Sequence, residues 1–117
     1  MKHHKAIRKF GRKKNQRIAF TRGLVSALIL NGKIETTLAR AKEIRPMVER
    51  LVTYAKTDTL ASKRLIASKL YNHKIETNKL VSEYAPKYKD VNGGYTRIIK
   101  NGVRLSDASQ MAVIEFI

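Results

Sequence analysis

Apolar residues early in the chain recur at the spacing of a helix. They lie between Asn15 and Asn31, and Asn31 is followed by Gly32, a pair typical of a helix C-terminus. The next segment, Lys33–Thr37, alternates in polarity and is rich in β-branched residues, which favours a short strand. The apolar positions of this first predicted helix are Ile18, Phe20, Leu24, Val25, Leu28 and Ile29. A helix followed by a strand is therefore expected.

A second, longer helical pattern follows the strand. Thr37 is a suitable N-cap for a helix over Leu38–Lys56, with one apolar stripe along it. Pro46 lies inside this pattern and predicts a kink near residues 42–45, or two helical segments that meet there. The stripe consists of Ala41, Ile44, Val48, Leu51, Val52 and Ala55, and we expect it to face the core.

Two weaker helical patterns occupy the middle of the chain. Asp58 or Thr59 could cap a third helix that runs through Tyr71. Residues Lys74–Tyr84 form a fourth pattern, and Pro86 is expected to end it. The residues of the third helix that should face inward are Ala61, Leu65, Ile66 and Leu70.

After Gly93-Gly94 the pattern changes to period two, which indicates strands over Tyr95–Lys100 and Met111–Ile117. Alternation would place Tyr95, Arg97 and Ile99 on one face of the sheet, so that Arg97 could reach solvent from beside the core. Between these strands we expect a polar loop over Asn101–Gln110, although Asn101-Gly102 is also a tight-turn signal.

The predicted order is helix, strand, three helices and two strands. Because helices and strands are segregated along the chain, we expect an α+β fold with the helices packed on one face of a small mixed sheet. The length of 117 residues suits one domain, predicted over residues 15–117, preceded by a basic N-terminal arm over residues 1–14.

Charge is the feature that points to function. The chain has 25 Lys and Arg against 9 Asp and Glu, and its first seventeen residues contain eight cations and no acid. Such an arm repels itself and has little apolar surface to bury, so an external polyanion is expected to order it. Nucleic acid is the first candidate and an anionic membrane surface the second.

The candidate RNA contacts are the cations of the arm and body, one arm histidine and one tyrosine. Arginines are favoured over lysines in the arm, since a guanidinium grips phosphate with two hydrogen bonds. The candidates are Lys2, His3, Lys5, Arg8, Lys9, Arg12, Lys13, Lys14, Arg17, Arg22, Arg40, Lys42, Arg45, Lys63, Arg64, Tyr95, Arg97, Lys100 and Arg104. For Arg40 and Arg45, RNA contact competes with an alternative, in which Arg40 pairs with Glu43 and Arg45 with Glu49 at helical spacing.

Other chemistry finds little support in the sequence. There is no cysteine, and the three histidines do not form a metal-binding pattern, so neither a metal nor another cofactor is expected. No apolar run is long enough to span a membrane, and no nucleophile motif or small-molecule site is recognisable. Two alternatives remain: a small toxin-type ribonuclease that uses Lys, Arg and Tyr, and a nonspecific DNA-binding protein.

Four blocks carry a resemblance to a known family. They are a Met-Lys-His start, residues Lys33–Asp58, the segment Gly93–Lys100 beginning Gly-Gly-Tyr-Thr-Arg, and Asp107–Phe116. Their sequence and order resemble the bacterial large-subunit ribosomal protein seventeen family over nearly the whole chain.

The resemblance implies a structural protein without enzymatic activity. It implies binding to large-subunit ribosomal RNA near the exit of the peptide tunnel, with neighbouring large-subunit proteins as further partners. The expected protein is cytoplasmic and ribosome-bound, with an organellar ribosome as the alternative, and it is not a homo-oligomer.

Overall fold

The computed structural model describes residues 13–57, 59–70 and 73–117. It has the predicted α+β order, with helices packed against a three-stranded sheet. The helices are α1 (Lys14–Asn31), α2 (Leu38–Thr57), α3 (Leu60–Lys69), α4 (Lys74–Lys79) and α5 (Ala85–Lys87), and a π-helical turn (Leu80–Tyr84) joins the last two. The strands are β1 (Lys33–Thr37), β2 (Thr96–Val103) and β3 (Gln110–Phe116).

Local chemistry explains where the first elements begin and end. Gly32 has φ of +79° and donates its N–H to the carbonyl of Leu28, which closes α1 in a left-handed cap. Thr37 Oγ1 accepts the N–H of Arg40 at 3.3 Å at the start of α2. That helix is unbroken at Pro46, so the alternative of two separate segments is wrong. Pro46 is exposed, and the buried stripe on the opposite side of α2 packs along the core from end to end.

All strand pairing in the sheet is antiparallel, and the strand order is β1-β3-β2. The expectation of a mixed sheet is wrong, because the short connection between β2 and β3 forms a hairpin and β1 pairs antiparallel on the other side of β3. The expected loop over Asn101–Gln110 is also too long. Strand β2 continues to Val103 through an irregularity at Asn101-Gly102, where Gly102 has φ of +85°.

The helices lie on one face of the sheet, as predicted. All six stripe residues of α2 are buried with Ala112 and Ile114 of β3. In the short α3 only Ile66 is buried, together with Leu70 just after it, whereas Ala61 and Leu65 are exposed against expectation. Ile66 and Leu70 lie one helical turn apart on the side that faces the core, whereas Ala61 and Leu65 form a row on another side of the helix.

Pro86 does not end the fourth helical pattern, which continues to Lys87. The π-helical turn before it bonds the N–H of Ala85 to the carbonyl of Leu80, five residues back. Pro86 then falls at the start of a new helical turn, where its missing N–H costs little. Tyr84 is thereby buried, its ring stacked on Phe116 with centroids 4.1 Å apart.

Candidate nucleic-acid interface

The predicted cations of the arm fall partly outside the described residues. The predicted arm contacts that lie outside the described residues are Lys2, His3, Lys5, Arg8, Lys9 and Arg12, and their role in binding stays a prediction. Lys13 and Lys14 lie exposed at the start of α1, and Arg17 is half-buried one turn later. The N-terminal end of α1 therefore carries three basic side chains.

Within the part of the chain that the structure describes, Arg45, Arg97 and Arg104 are paired with carboxylates. Nε of Arg97 lies 2.7 Å from Oε1 of Glu115, and the Arg104 guanidinium reaches both carboxylate oxygens of Asp107 at 3.0 and 2.8 Å. Arg45 is more loosely placed, with its Nε 3.9 Å from Glu49 Oε2. A carboxylate that holds a guanidinium competes with any phosphate for it, so these arginines are weaker candidates for RNA contacts.

Arg45 and Glu49 connect the long helix to the beginning of β2. Arg45 donates to the carbonyl of Thr96 at 3.3 Å, while Glu49 Oε2 accepts both the N–H and the hydroxyl of Thr96 at 3.2 Å. The two side chains satisfy polar groups of a threonine that is almost completely buried. Their pairing at helical spacing was expected, and its effect is to fix the sheet on α2.

Tyr95 lies in the core and does not face solvent. Only 2% of it is exposed, and its hydroxyl lies 3.4 Å from Thr53 Oγ1 and accepts a hydrogen bond from Lys56 Nζ at 3.1 Å. The hydrogen bond with Thr53 and the nearby ammonium of Lys56 lower the pKa of Tyr95. Tyr95 precedes β2 and turns into the core, so its burial argues against the predicted RNA contact by this residue.

The hairpin loop around Arg104 is held by its own side chains. Asp107 also accepts the backbone N–H of Ser109 at 3.2 Å, and Ala108 has φ of +59°. The hydrogen bond from Arg104 holds the pKa of Asp107 well below its usual range. Leu105, at the tip of this loop, is fully exposed.

Several cations have no described carboxylate within 4.0 Å. Among the sequence-predicted residues these are Lys13, Lys14, Arg17, Arg40, Lys42, Arg64 and Lys100. The Arg40 guanidinium instead lies over the Phe20 ring, 4.8 Å from its centroid. Lys63 and Arg64 are both exposed on α3. The folded body thus offers phosphates a set of cations that nearby acids have not neutralised.

One group of cations surrounds a cavity between α1, α2 and α3. The cavity has a volume of about 240 Å³, and Arg22, Arg50 and Lys69 line it together with Tyr54. Of these four residues, only Arg22 was predicted from the sequence. Arg50 and Tyr54 lie one helical turn apart on α2, beside the buried stripe, and that spacing was the signal that could have revealed them.

A second basic region lies where α2 begins beside the β2–β3 hairpin. Lys42 lines one hollow with Ser109, and Lys100 lines an adjoining hollow with Val103. Leu38 and Gln110 border both hollows, which places the two lysines on the same side of the body. None of the described residues that line the two hollows is acidic, so this region also favours phosphate.

Other site types find no support in the described part of the chain. No helix there is both long and apolar enough to cross a membrane. Residues 13–57, 59–70 and 73–117 also contain no group of three or more His, Asp or Glu side chains that could hold a metal ion.

Comparison with known proteins gives a consistent answer. The family model described as Ribosomal protein L17 matches residues 20–117. A large ribosomal subunit protein bL17 from Campylobacter jejuni subsp. doylei is 50% identical over 117 residues, covering 100% of this chain and 99% of the relative. The bL17 proteins of a Sulfurihydrogenibium species and of Fusobacterium nucleatum are 50% and 44% identical, with 100% of this chain and 97% and 100% of those proteins covered.

Proposed function

Because the chain belongs to the Ribosomal protein L17 family, we propose that it binds large-subunit ribosomal RNA through its basic arm and basic surface, near the exit of the peptide tunnel. Members of this family are structural components of the large ribosomal subunit rather than enzymes, and they serve translation. The family expected from the sequence is therefore confirmed, and the ribonuclease alternative is discarded.

One observation carries the RNA-binding proposal: the described body keeps two basic regions free of acidic lining residues. These are the cavity with Arg22, Arg50 and Lys69, and the hollows with Lys42 and Lys100. Each cation placed on a phosphate releases a condensed counterion, which makes binding strong at low salt and steeply salt-dependent. A body that merely needed solubility would have no reason to keep its acids away from these cations.

The arm adds to this surface in the proposal. Its candidates from Lys2 to Arg12, with Lys13, Lys14 and Arg17 at the start of α1, give the N-terminal segment a high density of cations. Ordering such a segment on RNA costs conformational entropy, which many phosphate contacts must exceed.

A salt titration of binding tests the proposed function. The full-length chain is mixed with deproteinised large-subunit ribosomal RNA, and the association constant is measured by filter binding from low to physiological salt. Contacts to about six to ten phosphates give a logarithmic slope of about −4 to −9. A shallow slope, or equal affinity for duplex DNA of the same length at physiological salt, would contradict the proposal and favour the nonspecific DNA-binding alternative.

The proposed partners are the ribosomal RNA and neighbouring proteins of the large subunit, with the protein ribosome-bound in the cytoplasm and not forming homo-oligomers. A formal charge of +16 supports the last point, because two copies repel each other unless a polyanion separates them. Sedimentation of a cell extract tests the placement: the chain should travel with the large particle at low salt and leave it only at high salt.

A further inference from the structure

The cavity between α1, α2 and α3 has an apolar floor and a basic rim. Val25, Leu51 and Leu70, one from each side of the cavity, are nearly completely buried and form its floor. Met47 and Tyr54 of α2 are half-buried at its wall. An opening of this kind accepts a flat apolar group whose edges remain near charge.

The size of the cavity suits a planar ring. An apolar protein cavity of about 150 Å³ is enough to bind benzene. The cavity here measures about 240 Å³, so it has room for a bicyclic ring such as a purine. The wall supplies a tyrosine and a methionine, both of which make favourable contacts with aromatic rings.

Two polar groups in the cavity can contact the edge of such a ring. The Thr21 hydroxyl lies 3.1 Å from the carbonyls of Arg17 and Ile18, to which it donates, and its oxygen keeps the capacity to accept a hydrogen bond. The hydroxyl of Tyr54 has no hydrogen-bond partner among the described residues, so it can donate or accept. A nucleobase carries both donors and acceptors on its edges and can use both groups.

The charges at the rim identify the ligand as part of a polyanion. Arg22, Arg50 and Lys69 are contributed by three different helices, and none of the described residues that line the cavity is acidic. A free aromatic metabolite would not require three cations, whereas a nucleotide within an RNA chain carries phosphates on both sides of its base.

We propose that this cavity receives one unpaired purine base turned out of the ribosomal RNA, with Arg22, Arg50 and Lys69 holding the phosphates that flank it. This inference rests on the proposed RNA binding and adds a recognition site to it. The body then reads the position of an extruded nucleotide, whereas the cations elsewhere contact the RNA backbone without regard to sequence.

A matched pair of substitutions tests the cavity. Ile18→Phe enlarges a half-buried lining residue and fills the space, while Ile75→Phe makes the same change on α4 at a residue that is 72% exposed. Each full-length variant is bound to deproteinised large-subunit ribosomal RNA, and dimethyl sulfate reactivity of unpaired bases is read along the RNA. Wild type and Ile75→Phe should protect one unpaired purine from dimethyl sulfate. In the complex with Ile18→Phe the same purine should become reactive, and the affinity of this variant for the RNA should be about tenfold lower.

A second variant keeps the test informative if Ile18→Phe does not fold. Arg50 is exposed, so Arg50→Ala leaves the core intact, and Lys89→Ala removes the same charge from an exposed turn. Arg50→Ala should raise the reactivity of the same purine, whereas Lys89→Ala should not.

The outcomes separate this inference from the proposed function. If wild type fails to bind the RNA, the proposed function is wrong and the inference falls with it. If wild type binds with a steep salt dependence while folded Ile18→Phe gives an unchanged footprint and affinity, only the cavity inference is overturned. The cavity inference is also overturned if subunits assembled with Ile18→Phe lose a neighbouring protein while the RNA footprint is unchanged. The occupant of the cavity would then be a protein side chain.

Discussion

Arg97 and Glu115 lie directly opposite each other on β2 and β3, with Nε and Oε1 2.7 Å apart. The pair is on the outer face of the sheet, away from the helices, where Arg97 is exposed and Glu115 is half-buried. Strand pairing thus places a carboxylate beside Arg97, a cation that was predicted from the sequence to contact RNA. The basic residues of the body therefore fall into two groups: those that pair with a carboxylate of the same chain, as Arg97 does, and those that remain available to phosphate.

Removal of the Glu115 charge should make Arg97 available. We expect Glu115→Gln to raise affinity for large-subunit RNA several-fold and to steepen the logarithmic salt slope by about 0.7–0.9, the effect of one added phosphate contact. The free energy of unfolding should change by less than about 1 kcal/mol, because the Arg97 guanidinium stays in contact with solvent, which screens the pair. Filter binding across a salt series and urea denaturation provide the two measurements. The control Glu83→Gln adds the same charge at an exposed residue of the π-helical turn, and an equal gain in that variant would mean that only net charge matters.

The lysines beside the β2–β3 hairpin should contribute directly to RNA binding. The double variant Lys42→Ala/Lys100→Ala removes two cations that line adjoining hollows, and it should reduce the steepness of the salt slope by about 1.5. Lys74→Ala/Lys89→Ala removes the same charge from exposed positions elsewhere and serves as the control. The prediction fails if both double variants change the slope equally.

Tyr84 should make stability depend on pH in the alkaline range. Its hydroxyl donates to the carbonyl of Ile29 at 2.9 Å, and Tyr84→Phe leaves that buried carbonyl without this donor at a cost of about 1–3 kcal/mol near pH 7. Burial raises the pKa of Tyr84 from 10.0 to about 12, so folding favours the protonated form. The contribution of Tyr84 to the free energy of unfolding is fully present below pH 10. It is lost as the pH rises toward 12, because the tyrosine ionises in the unfolded chain first. The difference in unfolding free energy between wild type and Tyr84→Phe should therefore shrink between these pH values, and urea denaturation can follow it. A constant difference would contradict the assignment.

Asp107 should titrate abnormally low. The hydrogen bond from Arg104, followed by those from Ser109, lowers the pKa of this carboxyl group. Its contribution to loop stability is present above the ordinary aspartate pKa of about 3.9 and is lost as the pH falls through the lower folded value. In a carboxyl-carbon NMR titration, Asp107 should remain ionised where ordinary aspartates protonate. Arg104→Ala should return its pKa toward the ordinary value, and Arg97→Ala should not. An ordinary midpoint in wild type would show that the loop pair does not form in solution.

Much of the fold could be predicted because its signals are local. Gly32 and Thr37 mark real boundaries, and all six stripe residues of α2 are buried, since helical spacing alone decides which side of a helix is apolar. Strand β1 was predicted with its full range. The irregularity at Asn101-Gly102 was not predicted, because the extension of β2 to Val103 depends on pairing with β3 rather than on local preference.

The candidate site could be predicted only in its composition. The sequence showed which residues are cations, but not which of them meet a carboxylate. Glu115 lies 18 residues beyond Arg97, and only the register of the sheet brings the two together. The cavity was missed for the same reason, since Arg22, Arg50 and Lys69 become neighbours only when three helices pack.

The central position of β3 has a consequence for how the chain is made. Both strands that flank β3 precede it in the sequence, so neither has its partner while the nascent chain is still short of residue 110. The contacts between α1 and α2 need only residues that are synthesised much earlier, and these helices can dock before the sheet exists. Until the third strand emerges, the growing polypeptide presents two unpaired strands as sites of misassociation. Only the pairing of β3 with both strands completes the sheet.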